Sequence, residues 1–449
     1  MATARQAPNG SRRLCCFFPN RWVRQQRLLN YKRTLLIGLA FLSISAFWQM
    51  YDNIIPLILK NTFQMKETMT GVIMAGDNVL ALFLLPIFGA LSDKVDTKIG
   101  KRMPFILIGT ALAVILLMIL PYADRTQNLV LFVGGLFMLL ISMGFYRSPA
   151  VALMPDLTPK PLRSKGNAVI NLMGAIGGLY ALVMIKVMVG TGERPNYYPL
   201  FISIAAFMAV CVLILFLTIK EKKLGAEIVT DNEDDDIPVV SSTAELPKEV
   251  KRSLIFILMS VALWFTAYNA VTTAFSRYAT IVWKMEGGGY ANCLMVCTVA
   301  AIISYIPIGF ISAKIGRKKS ILIGIILLGA CFGAAGFFNA YHPIMNLFFG
   351  IIGFAWASIG VNSLPMVVEM CSAADVGKYT GYYYTFSMSA QVITPILSGF
   401  LLEHVSYRVL FPYSVFFAVL AFICMTQVKH GDAKPIQKKS LLENFDVED

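Results

Sequence analysis

The stretch Gly89–Gly109, "GALSDKVDTKIGKRMPFILIG", decides the fold. Eleven of its residues, Ser92 to Arg102, include four cations and two aspartates, yet apolar sequence lies on either side. Those flanks are long. An α-helix crosses a bilayer with about 20 mainly apolar residues. Working outward from the charged loop, twelve such segments lie near 34–59, 69–91, 103–122, 128–154, 166–190, 199–219, 253–276, 290–312, 320–339, 344–369, 379–402 and 407–427. Backbone groups cannot stay unpaired in lipid, so each segment is expected to be a helix, joined to the next by a mostly short loop. The composition agrees. Of 449 residues, 57% are hydrophobic and 14% charged, with a mean hydropathy of +0.66, where a soluble domain is about one quarter charged. The expected class is an all-α polytopic membrane protein.

The opening motif returns 220 residues later as "GFISAKIGRKKSIL", Gly309 to Leu322, again after the second helix of a set of six. Between the sixth and seventh segments lies the longest internal polar run, whose acidic core "DNEDDD" reads as a solvated linker. The chain therefore divides into a basic N-terminal arm (1–33), a first six-helix bundle (34–219), a linker (220–252), a second bundle (253–427) and a tail (428–449). A repeat of whole six-helix units, related by an axis along the membrane normal, is the architecture of rocking secondary transporters.

With both termini placed in the cytoplasm, 30 of the 39 Lys and Arg residues fall on the inner side, as the positive-inside rule requires. The formal net charge of +13 is thus a topology signal and a source of adhesion to anionic lipid. No nucleic-acid-reading motif accompanies it. The N-terminal arm has no early apolar core or small-residue cleavage site, so a cleaved signal peptide is not expected. The eight cysteines are scattered without disulfide or metal spacing. Cys15 and Cys16, beside basic residues, suit either lipidation or plain thiols.

The Gly89 loop resembles the signature loop of the major facilitator superfamily, G-x-L-[SA]-D-[RK]-x-G-[RK]-[RK]. Its longer spacer and its "GKRMPFIL" ending are similar to the glycoside–pentoside–hexuronide:cation symporters and the related sucrose:proton symporters. A second stretch, "RSPAVALMPDLTPKPLRSKGNAVINLMGAIGGL" (Arg147 to Leu179), resembles the fourth-to-fifth helix region of the latter group. The resemblance implies symport of a glycoside or small oligosaccharide by alternating access, no enzymatic activity, no cofactor beyond a coupling H⁺ or Na⁺, a plasma (inner) membrane location and function as a monomer.

A transporter must close and open the ends of its two halves in turn, and charges at helix ends suit that task. Asp93 and Lys94, with Lys101 and Arg102, are the expected N-half part of such a latch, with Asp156 and Arg163 as partners. The resemblance also implies that Asp93 faces the start of the eleventh helix, near "DVGKYTGYYY", in one state. The second copy has Ala313 in place of the aspartate, which leaves Glu369 for the acidic role there.

Ionisable groups at membrane depth are expensive and are functional candidates by default. Asp52, in "AFWQMYDNIIP", and Asp77, in "GVIMAGDNVLALF", lie on antiparallel helices at similar depth. A carboxylate there can carry a proton, or the two together can bind Na⁺. Melibiose-type members carry two aspartates nearer the loop end of the second helix, where this chain has Pro86 and apolar residues. That departure favours H⁺ coupling. Arg147, deep in the fourth helix, suits sugar hydroxyls, a buried carboxylate partner or a gate. Lys186 lies near a helix end and is expected to snorkel. A pyranose has an apolar face and a polar rim, so aromatics near amides are candidate ligands: Trp48, Gln49, Tyr51, Tyr268, Asn269, Trp356, Asn362 and Gln391. The runs "GAIGG" (Gly174 to Gly178) and "GIIGFAWASIG" (Gly350 to Gly360) read as close helix contacts. A proton-coupled drug or metabolite exporter on the same fold is the alternative, but the fifth helix lacks the proline of the exporters' G-P-x-x-G-G element. A ligand sensor would need a folded signalling domain that neither tail is long enough to supply.

Overall fold

A computed structural model describes residues 30–158, 163–192, 194–224, 247–370 and 376–432, with the side chains of 163–165 and 376–377 outside that description. Cys15, Cys16, the "DNEDDD" core, the Arg163 side chain and Asp375 of "DVGKYTGYYY" therefore fall outside the described residues.

Twelve helices are long and apolar enough to cross a membrane among these residues. They are α1 (Tyr31–Asn61), α2 (Glu67–Lys94), α3 (Met103–Arg125), α4 (Leu129–Asp156), α5 (Arg163–Met188), α6 (Tyr198–Thr218), α7 (Lys248–Ile281), α8 (Ala291–Ile315), α9 (Arg317–Gly336), α10 (Ile344–Val368), α11 (Val376–His404) and α12 (Leu410–Thr426). A short 3₁₀ turn, Tyr407–Val409, leads into α12. Local chemistry sets several starts. Asn30 and Asn128 cap α1 and α4, their side-chain oxygens accepting from Arg33 N and Leu131 N at 3.1 and 3.0 Å.

Within the first half, α1 packs on α5 and α6, α3 on α4 and α6, and α2 on α4. The second half repeats the pattern: α7 on α11 and α12, α9 on α10 and α12, α8 on α10. This is the two-bundle, pseudo-symmetric fold anticipated from the repeated loop. Small residues make the closest contacts. A Cβ on Gly177 would sit 1.9 Å from the Leu42 carbonyl oxygen, and one on Gly353 would sit 2.1 Å from that of Cys297. Both glycines belong to the small-residue runs, which let backbones approach where lipid supplies no hydrophobic drive.

The halves meet through α2–α11, α5–α8 and α1–α7. The tightest approaches all lie at the face opposite the N-terminal arm, hereafter the far face. A Cβ on Gly71 would meet the Pro395 carbonyl at 2.1 Å, one on Gly399 the Glu67 carbonyl at 2.5 Å, and one on Gly288 the Ile185 carbonyl at 2.3 Å. Toward the arm face, α11 presents an exposed polar stripe of Lys378, Tyr382, Thr385 and Ser389 at helical spacing. Such a stripe does not face hydrocarbon. The halves are therefore closed at the far face and parted toward the arm face.

The charged loop forms a hub inside the first half. Gly100 adopts φ +123°, a left-handed conformation open to glycine. The chain then enters α3, whose first amides find a carboxylate: Glu221 accepts from the backbone N–H groups of Lys101 (2.8 Å), Arg102 (2.9 Å) and Met103 (2.8 Å). Orphan N–H groups and the helix dipole both favour an anion there. The Arg102 side chain, only 7% exposed, pairs with Asp93 and with Asp156 (2.9 Å) and donates to Ser92. The second half repeats the design: Gly316 has φ +96°, Asp432 accepts from Lys318 N at 2.8 Å, and Arg317 pairs with Glu369. Replacing Glu221 with Ala removes charged hydrogen bonds worth about 1.5–3 kcal/mol each. A clearly lower thermal unfolding midpoint in detergent is expected, whereas Lys222→Ala, which breaks an exposed pair with Asp96, should leave it nearly unchanged.

Candidate functional site

Three of the expected residues line one small cavity in the first half: Trp48 from α1, Asp77 from α2 and Arg147 from α4, with Leu84 and Gly144 also in its wall. Gly144 leaves the room, since α4 approaches the Leu84 side chain there. Asp77 sits ten residues into α2, about 15 Å from its far end, while Arg147 starts about 27 Å down α4. Helical side chains lean toward their own N-terminus, so Arg147 reaches back up α4 to the level of Asp77. Its guanidinium carbon lies 5.7 Å from the centre of the Trp48 ring, within cation–π range, and its charge acts on Asp77. Asp77 Oδ1 also accepts from the Asn78 backbone and side-chain amides at 2.6 and 2.8 Å.

Asp52 stands one turn after Trp48 on the same face of α1. It lies nine residues, about 13 Å, from the far end of its helix, level with Asp77, and the two carboxylates interact electrostatically. Tyr51 is fully buried, 5.4 Å from Trp48 and stacked on Phe47, with its hydroxyl near both acids and without a partner among the described residues. Buried polar groups are normally paired, so this orphan and the similarly unpartnered Trp48 Nε1 mark a polar place inside an apolar bundle.

The second half holds the counterpart. "AFWQMYDN" (46–53) and "ALWFTAYN" (262–269) align at an offset of 216, which sets Tyr268 in the place of Asp52. The offset of 220 between the two signature loops sets Cys297 in the place of Asp77. Tyr268 lies beside the Cys297 thiol and stacks on Trp356 with ring centres 3.8 Å apart and planes within 9°. Phe265 meets Trp356 edge-on at 5.3 Å. Charges thus occupy one half of the pseudo-symmetric pair and an uncharged aromatic shelf the other.

The remaining expected residues separate clearly. Asn269 brings an Nδ2 that is out of water and unpartnered among the described residues. Gln391 is half-buried midway along α11. Gln49 turns toward Gly178 of α5. Asn362, expected as a ligand, is 1% exposed and donates to the Ser358 carbonyl of its own helix at 2.9 Å, so its amide serves helix packing. Of the expected latch residues, the described side chains lie at the arm face. Asp93, Arg102 and Asp156 pair with one another inside the first half, and Glu369 pairs inside the second. Lys94 and the half-exposed Asp156 sit at the parted arm face, and the Lys101 side chain is exposed. Among the described residues, Asp93, Asp156 and Glu369 thus find their partners within their own halves.

Sequence reasoning missed Glu221 and Asp432. The usable signal was positional, an acid a few residues beyond the last helix of each half. It also missed Glu67 and Arg277, buried at the far face.

A twelve-helix, two-bundle membrane fold with a repeated signature loop is that of a transporter of the major facilitator type. The chain belongs to the MFS/sugar transport protein family, whose match spans residues 36–408. It is similar to the sucrose transport protein SUC3 of Arabidopsis thaliana, 27% identical over 168 residues, a match that covers 31% of this chain and 27% of that one. It is 23% identical over 350 residues to an uncharacterized MFS-type transporter of Methanocaldococcus jannaschii, covering 75% and 80% of the two chains. Among solved structures, the nucleoside transporter NupG superposes with a TM-score of 0.66 at 15% identity, covering 89% of this chain and all of that one.

Proposed function

We propose that this protein imports a glycoside or small oligosaccharide by proton-coupled symport, with the space between the two halves exposed alternately to the two faces. The observation that carries the reading is the grouping of Asp77, Arg147 and Trp48 around one cavity with Asp52 beside it. Asp77 is the coupling acid and Asp52 its neighbour. A fixed guanidinium beside Asp77 opposes a second metal cation in the same place, while it leaves a proton free to come and go. H⁺ is therefore the coupling ion rather than Na⁺. Trp48, Tyr268 and Trp356 present flat apolar faces to a pyranose, and Asn269 and Gln391 offer amides to its rim. Both termini, and hence the open arm face, lie on the cytoplasmic side of a plasma or inner membrane, an orientation that the positive-inside count supports, and one twelve-helix chain supplies a complete pathway. When the halves rock, Asp93 and Asp156 exchange partners toward the other half and close the arm face.

The test is made in proteoliposomes with sucrose, maltose and raffinose as probes, the first chosen because the Arabidopsis relative is a sucrose transport protein. Sugar entry accompanied by alkalinisation of the outside medium is expected. Sodium-stimulated uptake without alkalinisation would reverse the ion. Absence of uptake and of any thermal shift with all three sugars would remove the sugar substrate and return the exporter reading.

A further inference from the structure

The seam between the halves at the far face is ionic and buried, and the transport reading above makes no use of it. Glu67 opens α2 and is 2% exposed; Arg277, near the end of α7, is 4% exposed. Arg277 Nη1 donates to Glu67 Oε2 at 2.6 Å. The Tyr407 hydroxyl, on the turn between α11 and α12, donates to Glu67 Oε1, and Lys60 Nζ lies 3.4 Å from the same oxygen. One residue on, Thr68 N donates to Glu403 Oε2 at 3.0 Å, and Lys66 Nζ stands 3.7 Å from Oε1 of that glutamate. Apart from Lys60–Glu67, each of these bonds runs from one half to the other. The glycines that allow the approach are adjacent: Gly71 lies one turn after Glu67, and Gly399 lies against the Glu67 carbonyl.

We propose that Glu67, Arg277 and Tyr407 form the gate that holds the far face shut, and that this cluster dissolves once in every cycle. The proposal rests on the alternating-access reading. A buried ion pair is suited to the task. Removing one partner is strongly destabilising because the other charge is left buried and alone, yet parting the halves admits water to both charges together and spares each that penalty. The contacts are also one-sided. Among the described residues, the ion pairs at the arm face run within one half, whereas at the far face, Lys60–Glu67 apart, they run between halves. Together these contacts favour the arrangement open toward the arm.

The experiment uses the full chain in a cysteine-free background, reconstituted in lipid, with no substrate required. Spin labels at Val130 and Phe337, both exposed at the far ends of α4 and α9, report the far face. Labels at Lys94 and Lys378 report the arm face. Glu67→Gln and Arg277→Gln are each expected to add a longer far-face distance and a shorter arm-face distance, through roughly a hundredfold shift in the ratio of the two forms. The exchanged pair Glu67→Arg with Arg277→Glu should return most of the parent distribution. If either single variant does not fold, Tyr407→Phe removes one donor and is expected to move both distances in the same sense by less. Unchanged distances in all folded variants overturn the gate. A far face that opens without any narrowing at the arm face keeps the gate and overturns the rocking motion.

Discussion

Asp77→Asn is expected to abolish uphill sugar accumulation while leaving downhill exchange in place. The asparagine keeps the shape of the side chain and its contact with Asn78 but cannot take up and release a proton. A membrane potential of 100 mV is worth about 2.3 kcal/mol per charge carried, which sets an accumulation ratio of roughly fifty for one coupled proton. In the variant that ratio falls to one. Counterflow of labelled against unlabelled sugar needs no net proton movement and should persist, because the stacked Tyr268 and Trp356, the proposed sugar platform, lie in the other half. The pH dependence gives an independent check. In the parent, sugar binding is expected to weaken as the medium becomes alkaline, since on the proposed mechanism the loaded form requires the protonated acid. In Asp77→Asn the apparent affinity should stay level from acid to alkaline pH. An unaltered accumulation ratio in Asp77→Asn, with Asp52→Asn losing accumulation instead, would move the coupling role one helix over. That exchange of roles is physically open because the two carboxylates stand at one depth and act on each other.

Those acids were legible in the sequence for the same reason that the twelve helices were. Lipid requires long uninterrupted apolar runs, so a charge within one stands out, and helix rise alone fixes its depth. The segment expected at 34–59 became Tyr31–Asn61, and the one at 69–91 became Glu67–Lys94. The extensions are polar ends that continue helical beyond the hydrocarbon core. What could not be read is which charges meet across the bundle. Lys60, Lys66 and Arg277 are among the few cations that the positive-inside reading leaves on the outer side, and nothing in the sequence marks Arg277 as the most deeply buried of the three or as bonded across to the other half. Arg102 and Asp93 were grouped from their shared loop, but the joint to Glu221 spans 119 residues of sequence and depends on where α6 ends. The separation of Asn362 from Asn269 was hidden as well. Both are amides on apolar helices, and only the side-chain geometry shows the first bonded to its own turn and the Nδ2 of the second left without a partner among the described residues.

Arg147→Ala is expected to lower sugar transport roughly a hundredfold, in line with about 3 kcal/mol for breaking a desolvated charge pair. Arg147→Lys should recover only part of it, because an ammonium lacks the planar face that sits over Trp48 and the fork that can span two acceptors. Two roles for the guanidinium predict this loss equally, so the single variants do not separate them. In one, Arg147 balances Asp77 as that acid exchanges its proton. In the other, it grips sugar hydroxyls directly. The double variant Asp77→Asn with Arg147→Ala separates the two. If Arg147 acts through Asp77, removing the acid removes the need for the cation, and counterflow in the double variant returns to the level of Asp77→Asn alone. If Arg147 holds the sugar, the double variant stays as slow as Arg147→Ala. The geometry favours the first result: the guanidinium leans toward the far face, onto Trp48 and the carboxylate, while the stacked Tyr268 and Trp356 lie in the other bundle. Recovery of counterflow would make the charged half the coupling device and the uncharged half the recognition surface.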